Sequence, residues 1–262
     1  TTQPGTVIGG STAADGNIIS GNLGRGVWLG NGGGSVAVLN NTIGMDATGQ
    51  QARPNAVGVM VHSQWGAVGG NIIGSPGQGN LIAGNSGAGV ALPGGAGDNN
   101  AIRGNRFRAN GGLGIDLGTS GVTANDGAKG TGSNKLMDYP VITTANVREN
   151  VLSAAGYVGS APGQTLFAGA LVDLYVSDND ASGHGEGDLP LGTVVADANG
   201  NFNATLTVPA WSLVAGKRIT GTATDGTGST SEFGPNTKVV VEWVINDNGD
   251  AVDANPGDGL CE

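Results

Sequence analysis

Ile82-Ala-Gly-Asn-Ser-Gly-Ala-Gly-Val-Ala-Leu92 decides the fold. It aligns without gaps on Ile19-Ser-Gly-Asn-Leu-Gly-Arg-Gly-Val-Trp-Leu29 and on Phe107-Arg-Ala-Asn-Gly-Gly-Leu-Gly-Ile-Asp-Leu117. A weaker copy ends in Gly58-Val-Met-Val61. A second motif alternates with the first: Val7-Ile8-Gly9, Thr42-Ile43-Gly44, Ile72-Ile73-Gly74 and Ala101-Ile102-Arg103-Gly104. The anchor glycines Gly26, Gly58, Gly89 and Gly114 are 32, 31 and 25 residues apart, a period that signals stacked repeats.

Alternate side chains of a strand share a face. Val27, Val59, Val90 and Ile115 are therefore predicted to form one inward column, and Leu29, Val61, Leu92 and Leu117 a second. A strand this short buries a single row of side chains and is unstable alone, whereas stacked coils turn the rows into a continuous core. The Asn-x-Gly steps suit corners, where both residues tolerate left-handed backbone, and Asn22, Asn85 and Asn110 are expected to bond as a ladder through their amides. A helical solenoid is excluded by the load of Gly and β-branched residues and by the lack of a 3.6-residue apolar period.

The segments Asn17-Ile-Ile-Ser-Gly-Asn22, Asn41-Thr-Ile-Gly-Met-Asp-Ala-Thr-Gly49 and Asn80-Leu-Ile-Ala-Gly-Asn85 resemble the bacterial secreted family of right-handed parallel β-helix repeats, the pectate-lyase-like fold. The resemblance covers roughly residues 5–118 and speaks to fold. It leaves activity open, because that fold hosts lyases, hydrolases, adhesins and passive spacers alike.

Composition agrees with a turn-dense β protein. Of 262 residues 52 are Gly, without the strict third-residue period of collagen. Only 12% are charged, and the net charge of −10 offers no basic surface for nucleic acid. No apolar run is long enough to span a membrane. The opening Thr1-Thr2-Gln3-Pro4-Gly5 carries no signal peptide and runs straight into a repeat, so an excised segment of a longer, extracellular precursor is expected. Cys261 stands alone, which rules out an internal disulfide and leaves a choice between an idle thiol and pairing with another chain.

The predicted organisation is all-β. Residues 1–118 form the β-helix, the polar run 119–138 a loop or hinge, 139–245 an antiparallel sandwich, and 246–262 an acidic tail. After Tyr139 the long period gives way to short alternating runs: Val151–Val158, Ala170–Val176, Gly192–Ala196, Phe202–Val208, Arg218–Thr224 and Lys238–Ile245. Asp197-Ala-Asn-Gly-Asn201 is read as a hairpin turn between two of them. Gly192–Phe202, Thr222–Asp225 and Ser229–Phe233 resemble bacterial Ig-like modules, which implies a spacer or, less often, a sugar binder.

Candidate chemistry is sparse. His62 and His184 are far apart in sequence, too few for a zinc site, and no nucleophile elbow is present. No catalytic residue and no cofactor is assigned. The outward column Trp28, Met60, Ala91 and Asp116 mixes unrelated chemistries, unlike a lyase face. Arg103, Arg106 and Arg108 cluster, as a solvated face or as a strip for an acidic polysaccharide. Trp28 and Trp65 are candidate sugar platforms, whereas Trp211 and Trp243 are expected in the sandwich core. Calcium would find oxygen ligands at Asp178, Asp180, Glu186 and Asp188, or at Asp247 and Asp250 in the tail, although neither run has EF-hand spacing.

A β-helix exposes strand edges at both ends unless they are covered. The first coil begins near residue 5 without an amphipathic helix to cover it. The expected function is thus an extracellular scaffold, a subunit of a filament or surface array. It would assemble head to tail with itself, or with adjacent modules of a longer precursor, through Val239, Val241, Trp243, Ile245 and Cys261. The alternatives are a polysaccharide-binding adhesin module and, more remotely, a polysaccharide lyase or hydrolase. No nucleic-acid partner and no membrane span is expected.

Overall fold

A computed structural model describes residues 5–30, 34–64 and 66–242. The chain is mostly β, in two parts. The first winds through four coils of three short strands each: β1 Val7–Gly9, β2 Ile18–Ile19 and β3 Arg25–Leu29; β4 Ala37–Leu39, β5 Thr42–Ile43 and β6 Val57–Val61; β7 Ile72–Ile73, β8 Leu81–Ala83 and β9 Val90–Pro93; β10 Ala101–Ile102, β11 Arg106–Arg108 and β12 Ile115–Gly118. Equivalent strands stack into three parallel four-stranded sheets, β1-β4-β7-β10, β2-β5-β8-β11 and β3-β6-β9-β12, as in a β-helix.

The predicted columns are in register. Val27 lies opposite Val59, Val59 opposite Val90, and Val90 opposite Ile115. These four and Leu29, Val61, Leu92 and Leu117 are all buried. Two further columns, Ile8-Val38-Ile73-Ile102 and Ile19-Ile43-Ile82-Phe107, complete the core. The anchor glycines are required by close approach and not by a left-handed backbone. A Cβ on Gly26 would lie 2.7 Å from the Gly58 carbonyl, and one on Gly58 2.4 Å from that of Gly89. Gly44 meets both constraints, with φ +95° and Asn85 Oδ1 only 2.5 Å from where its Cβ would be.

The second part is built from β13 Pro140–Arg148, β14 Val151–Val158, β15 Leu171–Ser177, β16 Gly187–Val195, β17 Asn201–Thr207, β18 Arg218–Thr224, β19 Thr237–Lys238 and β20 Val240–Val241. They form two sheets, β17-β14-β13-β20 and β16-β15-β18-β19, across one core that includes Leu152, Val172, Leu174, Phe202 and Ile219. Pairing is antiparallel except for β13 with β20. Strand β13 had no counterpart in the sequence reading. The turn at 197–201 is tight, with the Asp197 carboxylate accepting from the N–H of Asn199 and Asn201, yet it joins no hairpin. β16 pairs with β15 and β17 with β14, so the turn crosses from one sheet to the other.

Candidate functional site: the two ends of the coil stack

The stack is threaded by asparagine ladders. Asn17, Asn41 and Asn80 each donate a backbone N–H and an Nδ2–H to the Oδ1 of the next asparagine, ending on Asn105. Asn22, Asn55 and Asn85 do the same, ending on Asn110. A third ladder runs from Asn71 through Asn100 to Asn134. The ladders therefore have polarity: each rung gives hydrogens toward the C-terminal end and accepts them from the N-terminal side. All members from Asn41 onward are buried, where unmet amide groups would be costly.

At the C-terminal end the second part of the chain receives these hydrogens. Glu186 Oε2 takes the Asn110 N–H at 3.3 Å and its Nδ2–H at 3.1 Å, so a carboxyl oxygen stands where the next asparagine's Oδ1 would be. Glu232 Oε1 accepts the Leu117 N–H at 2.9 Å, and Oε2 the Thr123 N–H at 2.8 Å. Ser229 Oγ, Thr230 Oγ1, Tyr175 Oη and Asp178 Oδ2 accept from the N–H of Asn99, Ile102, Gly104 and Ala109. Apolar cover comes from Phe233, which meets Phe107 and Tyr175 edge to face at 5.5 and 5.4 Å. Both Phe233 and Tyr175 belong to the core of the stack. Gly114 makes room for them, since a Cβ there would lie 3.0 Å from the Phe233 ring.

The segment 119–138, expected as a hinge, is packed into this junction. Ser133, Asn134 and Asp138 are buried, and Asn134 closes the third ladder and donates to the Thr230 carbonyl. Lys129 and Lys135 pair with Asp225 at 3.0 and 3.3 Å.

Electrostatics at the junction follow from burial. Desolvation, reinforced by the charges of Asp178 and Asp180, pushes the Glu186 carboxyl up to about 9 despite the bonds from Asn110. Burial raises Glu232 to about 7 against the N–H groups of Leu117 and Thr123. Burial alone would also raise Asp225, but the Thr227 hydroxyl, Lys129 and the N–H groups of Ser229 and Thr227 outweigh it and hold the group well below the usual carboxylate range.

The arginine cluster is mostly committed here. Arg103 forms a two-pronged pair with Asp173 at 2.7 and 2.8 Å, both side chains largely buried. Arg106, itself half-exposed, pairs with Asp188 at 2.9 Å, and Arg108 donates to the Gly49 carbonyl. The acidic run 178–188 is divided among these tasks. Asp178 also accepts from the N–H of Asp180 and Glu186, and Asp180 from that of Ser182. Among the described residues no group of three or more His, Cys, Asp or Glu is placed to share a metal ion.

The aromatic candidates are elsewhere. Trp28 is 44% exposed on β3, with its Nε1–H on the His62 carbonyl and the Arg25 guanidinium 5.0 Å over its ring. Trp211, expected in the core, is 70% exposed and edges a hollow of about 120 Å³ with Arg106, Asp188 and Lys217. Val239 is buried in the core of its own two-sheet part, and Val241 pairs with Val147 of β13. Trp65, Trp243, Ile245, Asp247, Asp250 and Cys261 lie outside the described residues.

The N-terminal end differs. Ile8 and Ile19, the first members of their columns, are only partly buried, and Val7 and Ile18 beside them are 54% and 55% exposed. Among the described residues nothing donates to the Oδ1 of Asn17 or Asn22. The sequence pattern of the ladder, limited to Asn22, Asn85 and Asn110, did not assign a bonding role to Asn41, Asn55, Asn71, Asn80, Asn105, Glu232 or Tyr175. The recurrent Asn-x-Ile or Asn-x-Phe at 17, 41, 71, 80, 100 and 105 is a signal that could have found most of the ladder. No known protein-family model matches the chain.

Proposed function

We propose that the chain is an extracellular scaffold module: a right-handed parallel β-helix closed by an Ig-like β-sandwich, which serves a surface array or filament by joining neighbouring units through its ends. The observation that carries this reading is the unequal treatment of the two ends. The C-terminal end is sealed by side-chain acceptors and by Phe233, while among the described residues nothing donates to the Asn17 and Asn22 Oδ1 atoms of the first coil and Val7 and Ile18 stay exposed. Solenoid ends left bare invite a neighbour. A catalytic role has less support, because Arg103 and Arg106 are held by carboxylates within the fold. Immunogold electron microscopy of the native source tests the proposal. Label in regular linear arrays outside the cell is the expected result; label scattered inside the cell, or turnover of polyuronates by the purified chain, overturns it.

A polysaccharide-binding role is the second reading. Exposed Trp28 under Arg25 and exposed Trp211 beside Lys217 favour it. Retention on a glycan array that is lost in Trp28→Ala or Trp211→Ala would replace the first reading.

A further inference from the structure

We propose that the first-coil edge is a docking surface for the terminal coil of another coil stack, one that ends in unpaired asparagine amides, and not for a second folded copy of this chain. This rests on the scaffold reading above and specifies the partner by its chemistry. In the register, Val7 pairs with Ala37 and Ile18 with Thr42. The N–H groups of Ala37 and Thr42 donate backward, to the carbonyls of Thr6 and Asn17. By the same repeat, the N–H groups of Val7 and Ile18 point away from the stack, and among the described residues nothing accepts from them. Beside them stand two acceptors, Asn17 Oδ1 and Asn22 Oδ1, and two partly covered apolar residues, Ile8 and Ile19.

An occupant must therefore accept from two strand N–H groups, lay apolar side chains over Ile8 and Ile19, and donate a paired N–H and amide Nδ2–H at each corner. A coil with asparagine at both corners does all three, and the same interface is already made three times within the chain. A second folded copy does not, because its Asn110 is bonded to Glu186 and its last apolar row lies under Phe233 and Tyr175. Two first-coil edges brought together would oppose acceptor to acceptor at the corners.

The test splices a copy of residues 71–99 ahead of Thr6, in place of residues 1–5 and in the register of the natural repeat, and reads amide hydrogen exchange. The expected result is slowing at the Val7 and Ile18 amides by at least ~100-fold, with Val59 as protected as before. Asn80→Ser with Asn85→Ser in the copied coil alone should give back at least ~10-fold of that protection. A copied coil exchanging at random-coil rates above a folded stack overturns the proposal, as does failure of the spliced chain to fold. Concentration-dependent protection of Val7 and Ile18 in the natural chain overturns it too, since the occupant would then be a second copy. Linear arrays in the native source with no acceptance of the coil would sink this inference and spare the scaffold reading; acceptance without arrays would do the reverse.

Discussion

The two ends of the coil stack are made of the same repeat and meet opposite fates. Ile102, Phe107, Ile115 and Leu117 in the last coil are as buried as the middle of the stack, whereas Ile8 and Ile19 in the first coil remain partly open. The difference is not in the coils themselves. It lies in what covers them: a carboxyl group on the ladder, hydroxyls and carboxyl groups on the strand N–H groups, and an aromatic pair over the core. A solenoid can thus be terminated by polar acceptors drawn from an unrelated fold, provided that they match the hydrogen-bond polarity of its last rung.

The largest way to break this contrast is Phe233→Ala. Removing a buried aromatic side chain should cost about 3–5 kcal/mol, read by denaturant unfolding, and the Ile102 and Leu117 amides should lose exchange protection before those of the second coil. A loss below about 1 kcal/mol would show that the aromatic cover is dispensable.

Next come the ladders. Asn85→Ala removes the acceptor of the buried Asn55 N–H and Nδ2–H and one of the two donors to Asn110 Oδ1, and should cost about 2–3 kcal/mol. Asn22→Ala, in the first coil, should cost about 1 kcal/mol, because its backbone N–H still donates to Asn55 and only the Nδ2–H bond is lost. Equal costs, measured in the same unfolding series, would erase the distinction between the ends.

A pH series sharpens the comparison further. Glu186 and Glu232 have folded-state pKa values of about 9 and about 7, above their ordinary 4.5. The folded chain therefore keeps protons that the unfolded chain releases. Their stabilising share is complete below about pH 4.5 and declines as pH rises, until about 7 for Glu232 and about 9 for Glu186. Each proton contributes a slope of at most about 1.4 kcal/mol per pH unit. Asp225 acts in the opposite sense at much lower pH. Glu186→Gln keeps an acceptor for Asn110 and should flatten the fall in melting temperature between pH 7 and 9. An unchanged slope would mean that Glu186 does not titrate there.

The smallest effect is expected at the rim of the junction. Arg106→Ala breaks an ion pair that is half in solvent and should change stability by about 0–1 kcal/mol, less at high salt. A larger loss would move this pair into the sealing set alongside Arg103 and Asp173.

Some of the ladder could be read from the chain and some could not. Asn22, Asn85 and Asn110 each precede their anchor glycine by four residues, but Asn55 precedes Gly58 by three. That single-residue contraction hides Asn55 from a gapless alignment, although its amide carries the same bonds. Trp211 was misplaced because an aromatic residue amid apolar neighbours looks like core. In the fold it is Leu213, two residues on, that turns inward, and Trp211 stays at the surface. The arginine triplet likewise reads as a free basic strip until Asp173 and Asp188 are brought against it from 70 and 82 residues away.

By itself the sequence determined the stacked coils, their inward columns and the segments available for strands, because these depend on local alternation and on a period that any reader of the chain can count. Only the tertiary structure decided how the C-terminal end of the stack is closed, what Glu186 and Glu232 do, and that the turn at 197–201 passes between sheets. Those outcomes depend on pairings between residues far apart in the chain, which no local pattern encodes.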